Sequence, residues 1–404
     1  MPILLSVATK AKFHDLQATA VDEGLIPGAS YAVGTEDGEI YHGSAGLRFF
    51  EEPEKGPIDE ESVFWICSMT KVVVTIALLQ LVEKGKIDYG TPVDKYLPEL
   101  ANPLVADNVA KPFNERSYTP AKNKILVKHL LSHSSGLAYA LAKQNNSDSL
   151  RWAYNAKPYE GNHTVEKFFS IIQEGLPGVP IAFEPGTSWV YGWNCEIVAF
   201  LVERITGQTI QEYCHDNIFT PLGVKMSFLL TPDKRDKLVQ LTYRGKDGKL
   251  QKWKNQLHII EQDPEVLKVF LGGIGIYSTM RDYLTFLSHI LRAKAGKASN
   301  PILGVDTIER MFTPQIDKGS ASNVVGFTGW PNVSFGDGLC LATEDWPGRR
   351  RKGSGFWYGW AGTYYFLDPS TGVVVVYGTQ VVPTCDQEVV KLWENLERAL
   401  YEGI

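Results

Sequence analysis

Two hairpin signals, one near each end of the chain, constrain its fold more than anything that lies between them. Ile26 to Gly34 and Glu39 to Ala45 alternate around Asp37-Gly38, a pair suited to the positive backbone angles of a tight hairpin turn. Near the other end, Thr363 to Leu367 and Val373 to Thr379 flank Asp368-Pro369-Ser370-Thr371-Gly372 as a second hairpin. An amphipathic helix is expected over residues 8 to 23, and another from Glu388 to Tyr401 closes the chain. Both ends then build one antiparallel sheet. Helical patterns at 68 to 84, 124 to 132, 164 to 174, 194 to 206 and 209 to 217 make the intervening chain a mostly α insertion. The expected class is α+β: an antiparallel sheet flanked by helices, a mostly α-helical insertion, and a site in the seam between two lobes. The 404 residues read as a single two-lobed domain, with a sheet lobe over about 1–67 and 270–404 and a helical lobe over about 68–269. Stretches 102 to 123 and 314 to 359 read as long surface loops.

Within the insertion, Ser68-Met69-Thr70-Lys71 stands at the start of an apolar run that begins Val72-Val73-Val74 and ends near Gly85, a plausible helix C-cap. Residues three apart share a helix face, so Lys71 can reach the Ser68 hydroxyl. A lysine surrounded by Val, Ile and Leu is expected to have its pKa pulled down by desolvation, which would make it a base near neutral pH. Ser68 at the helix N-terminus would also have unpaired N–H groups and the helix dipole beside the negative charge of acyl transfer. The spacing alone arises by chance about once or twice in a chain of this length, so other residues must support it.

Two further segments do. Phe183 to Tyr191 carries a Pro-Gly turn and leads straight into the helical run from Asn194 to Arg204. A tyrosine at that junction can point into a cleft and share proton transfer, or lie in the core with its hydroxyl on backbone. Tyr358-Gly359-Trp360-Ala361-Gly362-Thr363 opens a strand with small residues. Its edge could offer an N–H that completes an oxyanion hole with that of Ser68, or be an ordinary edge with glycines at a bend; spacing leaves both open.

Other chemistries find less support. His129 and His133 are four apart but have no third ligand in view, so they read as structural and no metal is expected. Gly272-Gly273-Ile274-Gly275 lacks the context of a phosphate loop and reads as a tight turn behind the site. No H-E-x-x-H, Walker, dinucleotide or G-x-S-x-G motif occurs, and no cofactor is expected. The formal net charge of −6 has interspersed signs, which excludes an extended basic face for nucleic acid. The one concentrated basic cluster, Arg349-Arg350-Arg351-Lys352, reads as a solvated loop. Five scattered cysteines without C-x-x-C spacing read as reduced thiols. Pro2 to Ala8 lacks the features of a signal peptide and no segment approaches ~20 apolar residues, so a cytoplasmic protein without a membrane partner is expected.

These residues together resemble the serine β-lactamase, penicillin-binding and esterase superfamily, in its class C-like branch. Ser68-Met69-Thr70-Lys71 matches its first motif, and Leu130-Leu131-Ser132-His133-Ser134-Ser135-Gly136-Leu137 a helix-ending segment. Asp88 to Pro98 and Gly272 to Thr279 resemble recurring family segments. Trp189-Val190-Tyr191-Gly192, Leu201 to Arg204, Arg350 to Ser354 and Tyr401 are most similar to the fungal lovastatin-pathway acyltransferase (transesterase) group. The resemblance implies that Ser68 is acylated, that Lys71 and Tyr191 share proton transfer, and that Thr363 N–H is the second oxyanion donor. It places Trp193, Trp360, Ala361 and Gly362 at substrate-binding positions. Two departures stand out. Tyr191-Gly192-Trp193 puts an indole where many relatives carry a polar amide, and Trp360-Ala361-Gly362 supplies no cation for a carboxylate such as that of a penicillin. Lys352-Gly353-Ser354 looks like the missing K-T-G but lies several residues before the strand, a decoy.

The expected reaction is acyl transfer through acyl-Ser68, from an ester or thioester donor to a small-molecule hydroxyl or amine in secondary metabolism, with a carrier-protein-bound donor as one option. Its alternatives are a carboxylesterase or thioesterase that uses water, and a non-catalytic β-lactamase-like binding scaffold.

Overall fold

The computed structural model describes residues 3–141, 153–154, 159, 164–253 and 263–404. Helix α1 (Val7–Asp22) leads into strands β1 (Gly28–Thr35) and β2 (Gly38–Gly46), followed by helices α2 (Thr70–Glu83), α3 (Asn194–Thr206), α4 (Met280–Lys294) and α5 (Lys318–Thr328). The chain returns through β3 (Val333–Phe335), β4 (Cys340–Ala342), β5 (Gly355–Gly359), β6 (Thr363–Asp368) and β7 (Val373–Gly378), and ends in helix α6 (Gln387–Glu402). The seven strands form one sheet in the order β3-β4-β5-β6-β7-β1-β2, antiparallel throughout.

Both expected hairpins are present, and the two ends of the chain meet where β1 pairs with β7, Tyr31 opposite Tyr377. The unbroken run Val373-Val374-Val375-Val376 reflects burial on both sides, since a sheet with one wet face would alternate. On one face, the Tyr31 ring packs on Phe13 of α1 and its hydroxyl donates to the Leu396 carbonyl of α6. On the other, α4 lies so close that a Cβ at Gly378 would stand 2.7 Å from the Met280 sulfur.

Helix α2 is buried at every residue from Thr70 to Leu81 and packs against α3, as a helix that is apolar all round must. It stops at Gly85, whose φ of +64° lets the Lys86 N–H turn back to the Leu81 carbonyl. Tucked beside this core, Leu104–Ala106 and Tyr118–Pro120 pair with each other, and Leu104–Ala106 also pairs with Pro180–Ile181. The expectation of a long surface loop over 102 to 123 is therefore corrected: short strands lie within it, and three-residue strands are too short to show alternation. The expected loop over 314 to 359 fails too. It contains α5, hidden by a Gly- and Ser-rich composition, and β3, β4 and β5 of the sheet.

The basic cluster is likewise not a solvated loop. Arg349 and Arg350 are buried and ion-paired to Glu397 and Glu394 of α6, while Arg351 and Lys352 are exposed. All five cysteines are free thiols, and no described helix is long and apolar enough to cross a membrane.

Candidate active site

Ser68 is carried on a turn braced from three sides. Phe64–Trp65 pairs with Tyr277–Ser278, and the Ile66 N–H donates to the Ile276 carbonyl at 3.1 Å. Cys67 then takes a φ of +48°, uncommon for a residue with a side chain, and Cys67–Met69 forms a 3₁₀ turn that runs into α2. The Thr70 hydroxyl accepts from the Ile276 N–H at 3.0 Å, and the Tyr283 hydroxyl of α4 donates to the Met69 carbonyl at 2.8 Å. These bonds hold Ser68 where the chain enters the helix.

Lys71, on the first turn of α2, points back over it. Its Nζ donates to Ser68 Oγ at 3.1 Å and to the Gly273 carbonyl at 2.8 Å, and lies 3.5 Å from the Tyr139 hydroxyl. The expected lowering of its pKa is corrected here. Burial does act to lower it, but Tyr139, Tyr191 and the Glu196 carboxylate raise it further, and Lys71 sits well above an ordinary lysine. The Gly-rich segment is a turn, as expected, but it also supplies a ligand carbonyl to the ammonium.

Tyr191 stands three residues before α3. The Lys71 ammonium lies 4.8 Å from the centre of its ring, so the two meet through the aromatic face, while the Tyr191 hydroxyl accepts from the Trp357 indole N–H at 3.2 Å. Tyr191 also stacks on His133 with ring centres 5.2 Å apart. Burial, and then Lys71, push the His133 pKa down to about 3. A neutral ring fits its contact, with the Asn194 amide donating to Nδ1 at 2.9 Å. His129 Nδ1 accepts from the Leu126 N–H, so both histidines serve structure, and no metal-ligating cluster occurs among the described residues.

Strand β6 begins beside the Ser68 turn. Thr363 pairs with Gly359, and its hydroxyl donates to the Ile66 carbonyl at 3.3 Å. A Cβ at Gly359 would stand 2.5 Å from that same carbonyl, so only glycine lets the strand approach. Trp360 is on the cavity wall between Trp65 and Trp253, at 5.9 and 5.8 Å between ring centres. Ala361 and Gly362 shape the turn behind it and do not line the cavity. Trp193, placed by resemblance at a substrate position, lies behind the wall instead. It is buried edge-on against Tyr139 and Tyr154, because the residue that opens a helix here faces the core.

Ser68 opens into a cavity of about 870 Å³. Its wall is chiefly aromatic, with Trp65, Tyr139, Tyr154, Trp189, Tyr191, Trp253, Phe327, Tyr358 and Trp360, and none of the described lining residues is Asp, Glu, Lys or Arg. Phe327, on α5, packs over Trp189, Tyr191 and Trp357 at the rim although it is about half exposed. Sequence reasoning missed Tyr139, Glu196 and Phe327. For Glu196 a signal existed: it is a carboxylate standing directly before an apolar helical run, Ile197 to Val202.

A sequence model of the β-lactamase family matches residues 13–398. The chain belongs to the β-lactamase family. Among its relatives, a monacolin J acid methylbutanoyltransferase of Aspergillus terreus is 30% identical over 95% of this chain and 93% of its own length. A lovastatin esterase of Penicillium rubens is 27% identical over 92% of each chain. The solved structure of simvastatin synthase from Aspergillus terreus, unliganded, superposes with a TM-score of 0.82, 25% identity and 98% coverage of both chains. The α+β, β-lactamase-like class expected from sequence is thus the fold of this family.

Proposed function

We propose that this protein is a serine acyltransferase that works through an acyl-Ser68 intermediate, taking the acyl group from an ester or thioester and giving it to a small-molecule hydroxyl or amine of secondary metabolism. The observation that carries the reading is Lys71 Nζ at 3.1 Å from Ser68 Oγ, at the base of a large aromatic cavity. Ser68 Oγ attacks the donor carbonyl and its proton passes to Lys71. The oxyanion is received by the N–H groups of Ser68 and Thr363. Collapse expels the donor's thiolate or alkoxide, which takes the proton back. The acceptor then repeats the sequence in reverse, losing its proton to Lys71 as it attacks the ester carbonyl. Tyr191, against the ammonium face-on, shares in these proton transfers.

The substrates enter between the sheet lobe and the helical lobe, and Trp360 contributes an apolar surface to them. A cavity without ionised side chains among its described lining residues suits an apolar acyl group better than a penicillin carboxylate. A donor carried on a partner protein and a cytoplasmic location complete the reading. The name of the Penicillium rubens relative favours a second reading, in which water takes the place of the acceptor and the protein is an esterase.

Intact mass after exposure to a short acyl thioester tests both. The wild-type protein should gain the acyl mass on the peptide that carries residue 68, Ser68→Ala should not, and the adduct should persist in buffer and discharge onto an added alcohol. An adduct lost rapidly to water would favour the esterase. A Ser68→Ala protein that still gains the acyl mass near residue 68 would overturn the assignment.

A further inference from the structure

Lys71 is asked to be a base, yet the structure surrounds it with groups that keep it protonated. What resolves this lies behind it. Glu196, on the first turn of α3, is fully buried. Its Oε1 accepts from Tyr154 at 3.1 Å and from Tyr139 at 3.4 Å, and its Oε2 has no hydrogen-bond partner among the described residues. The Tyr139 hydroxyl is also 3.5 Å from Lys71 Nζ, so one phenol stands between the lysine and the carboxyl group. Gly273 closes the knot. A Cβ there would fall 2.1 Å from Glu196 Oε1, and its carbonyl holds the Lys71 ammonium at 2.8 Å.

An isolated carboxylate in such a place is costly, and so is an isolated ammonium, but a pair that holds one proton between them stays neutral whichever partner has it. We propose that Glu196 is the proton-balancing positioning residue of this site, exchanging one proton with Lys71 through the Tyr139 hydroxyl. In the resting form Lys71 is ammonium and Glu196 carboxylate. To activate, a Lys71 N–H bond breaks as its proton moves to the Tyr139 oxygen, while the Tyr139 O–H bond breaks and its proton passes to Glu196 Oε1. Lys71 is then a free amine beside Ser68, and no proton has been exchanged with solvent.

Burial raises the Glu196 pKa against the attraction of Lys71, which suits a carboxyl group that is protonated for part of the cycle. The titratable groups packed around the pair are Tyr139, Tyr154, Tyr159, Tyr191, His133, Cys67 and Cys195; burial raises the pKa of Tyr139, Tyr154, Tyr159, Cys67 and Cys195, keeping those five protonated, and lowers that of His133, keeping it neutral. Through the Tyr139 hydroxyl, Glu196 is the carboxyl group with which Lys71 can trade the proton. The inference rests on the reading of Ser68 as nucleophile and Lys71 as its base.

The test is the pH dependence of Ser68 acylation by a short acyl thioester, followed by single-turnover intact mass in the wild type, Glu196→Gln, Glu196→Asp and Tyr139→Phe. Because activation leaves the proton count unchanged, the wild-type rate should be flat across neutral pH. In Glu196→Gln, Lys71 must lose its proton to solvent, so the rate should rise about tenfold per pH unit below a plateau. Glu196→Asp should restore the flat profile in part. Tyr139→Phe keeps the ring but not the bridge, should show the same slope, and decides the matter if Glu196→Gln does not fold. A flat profile in both Glu196→Gln and Tyr139→Phe would overturn the inference, as would a unit slope in the wild type, while Ser68 acylation itself would stand. Absence of any wild-type adduct would instead sink the nucleophile reading.

Discussion

Glu397 and Glu196 are both fully buried glutamates on helices, each with cationic side chains in reach, and they are held in opposite ways. Glu397 is saturated. Its Oε1 accepts from Arg350 Nε at 2.8 Å and from the Arg350 main-chain N–H at 3.0 Å, and its Oε2 accepts from Arg349 Nε at 2.8 Å and Arg350 Nη2 at 2.7 Å. Burial alone would raise its pKa, but the two guanidiniums overcome that and bring it down to about 2. Glu196 has two phenols on one oxygen and no partner on the other among the described residues, and burial wins. A buried charge with every lone pair satisfied is locked in one protonation state and serves the fold. One left partly satisfied can change state and is available to chemistry.

If that contrast is right, changes on the two sides should separate activity from stability. The largest effect is expected from Lys71→Met, which should slow Ser68 acylation by about 10² to 10⁴-fold. Its melting temperature should stay close to that of the wild type, because Glu196 can take a proton once the ammonium is gone. A collapse of stability in that variant would break the comparison. Glu397→Gln should do the reverse. Leaving the buried Arg350 guanidinium without a carboxylate, while Arg349 keeps Glu394, is expected to cost about 3–5 kcal/mol in denaturant unfolding, with acylation per folded molecule unchanged.

Acid sharpens the same point. The Glu397 pKa lies below its ordinary value of 4.5, at about 2. The stability it contributes is therefore complete above about pH 4.5 and lost as pH falls toward 2, roughly 3 kcal/mol in all. Urea unfolding measured across that window should fall less steeply in Glu397→Gln than in the wild type. The smallest effect is expected at the rim. Phe327→Ala removes an aromatic surface over Trp189 and Tyr191, and should raise KM for bulky apolar donors several-fold, on the order of 1 kcal/mol. Short donors, and the rate of the acylation step itself, should change little.

Much of the fold was legible because it is written in local periods. The two hairpins, the helices at both ends, and α3 over residues 194 to 206 follow from spacing and turn residues that are neighbours in the chain. Short strands such as β3 and β4 escaped, since three residues carry no readable period, and α5 escaped because glycine and serine mask its helical pattern. At the site, Ser68 and Lys71 were legible for the same local reason, three residues apart where a 3₁₀ turn runs into α2.

Their setting was not legible. Whether four adjacent basic residues face water or the core depends on Glu397, nearly fifty residues along the chain, and the sequence around Arg349 and Arg350 contains no sign of it. The direction of the Lys71 pKa depends on Tyr139, Tyr191 and Glu196, which only packing brings to its side. Trp193, just before α3, is buried against Tyr139 and Tyr154 and does not line the cavity. The sequence by itself determined which groups could react and that they share a helical turn, since that geometry is set by neighbouring backbone angles. Only the tertiary structure decided their protonation and their partners, because electrostatic energies in a buried site depend on which distant residues share it.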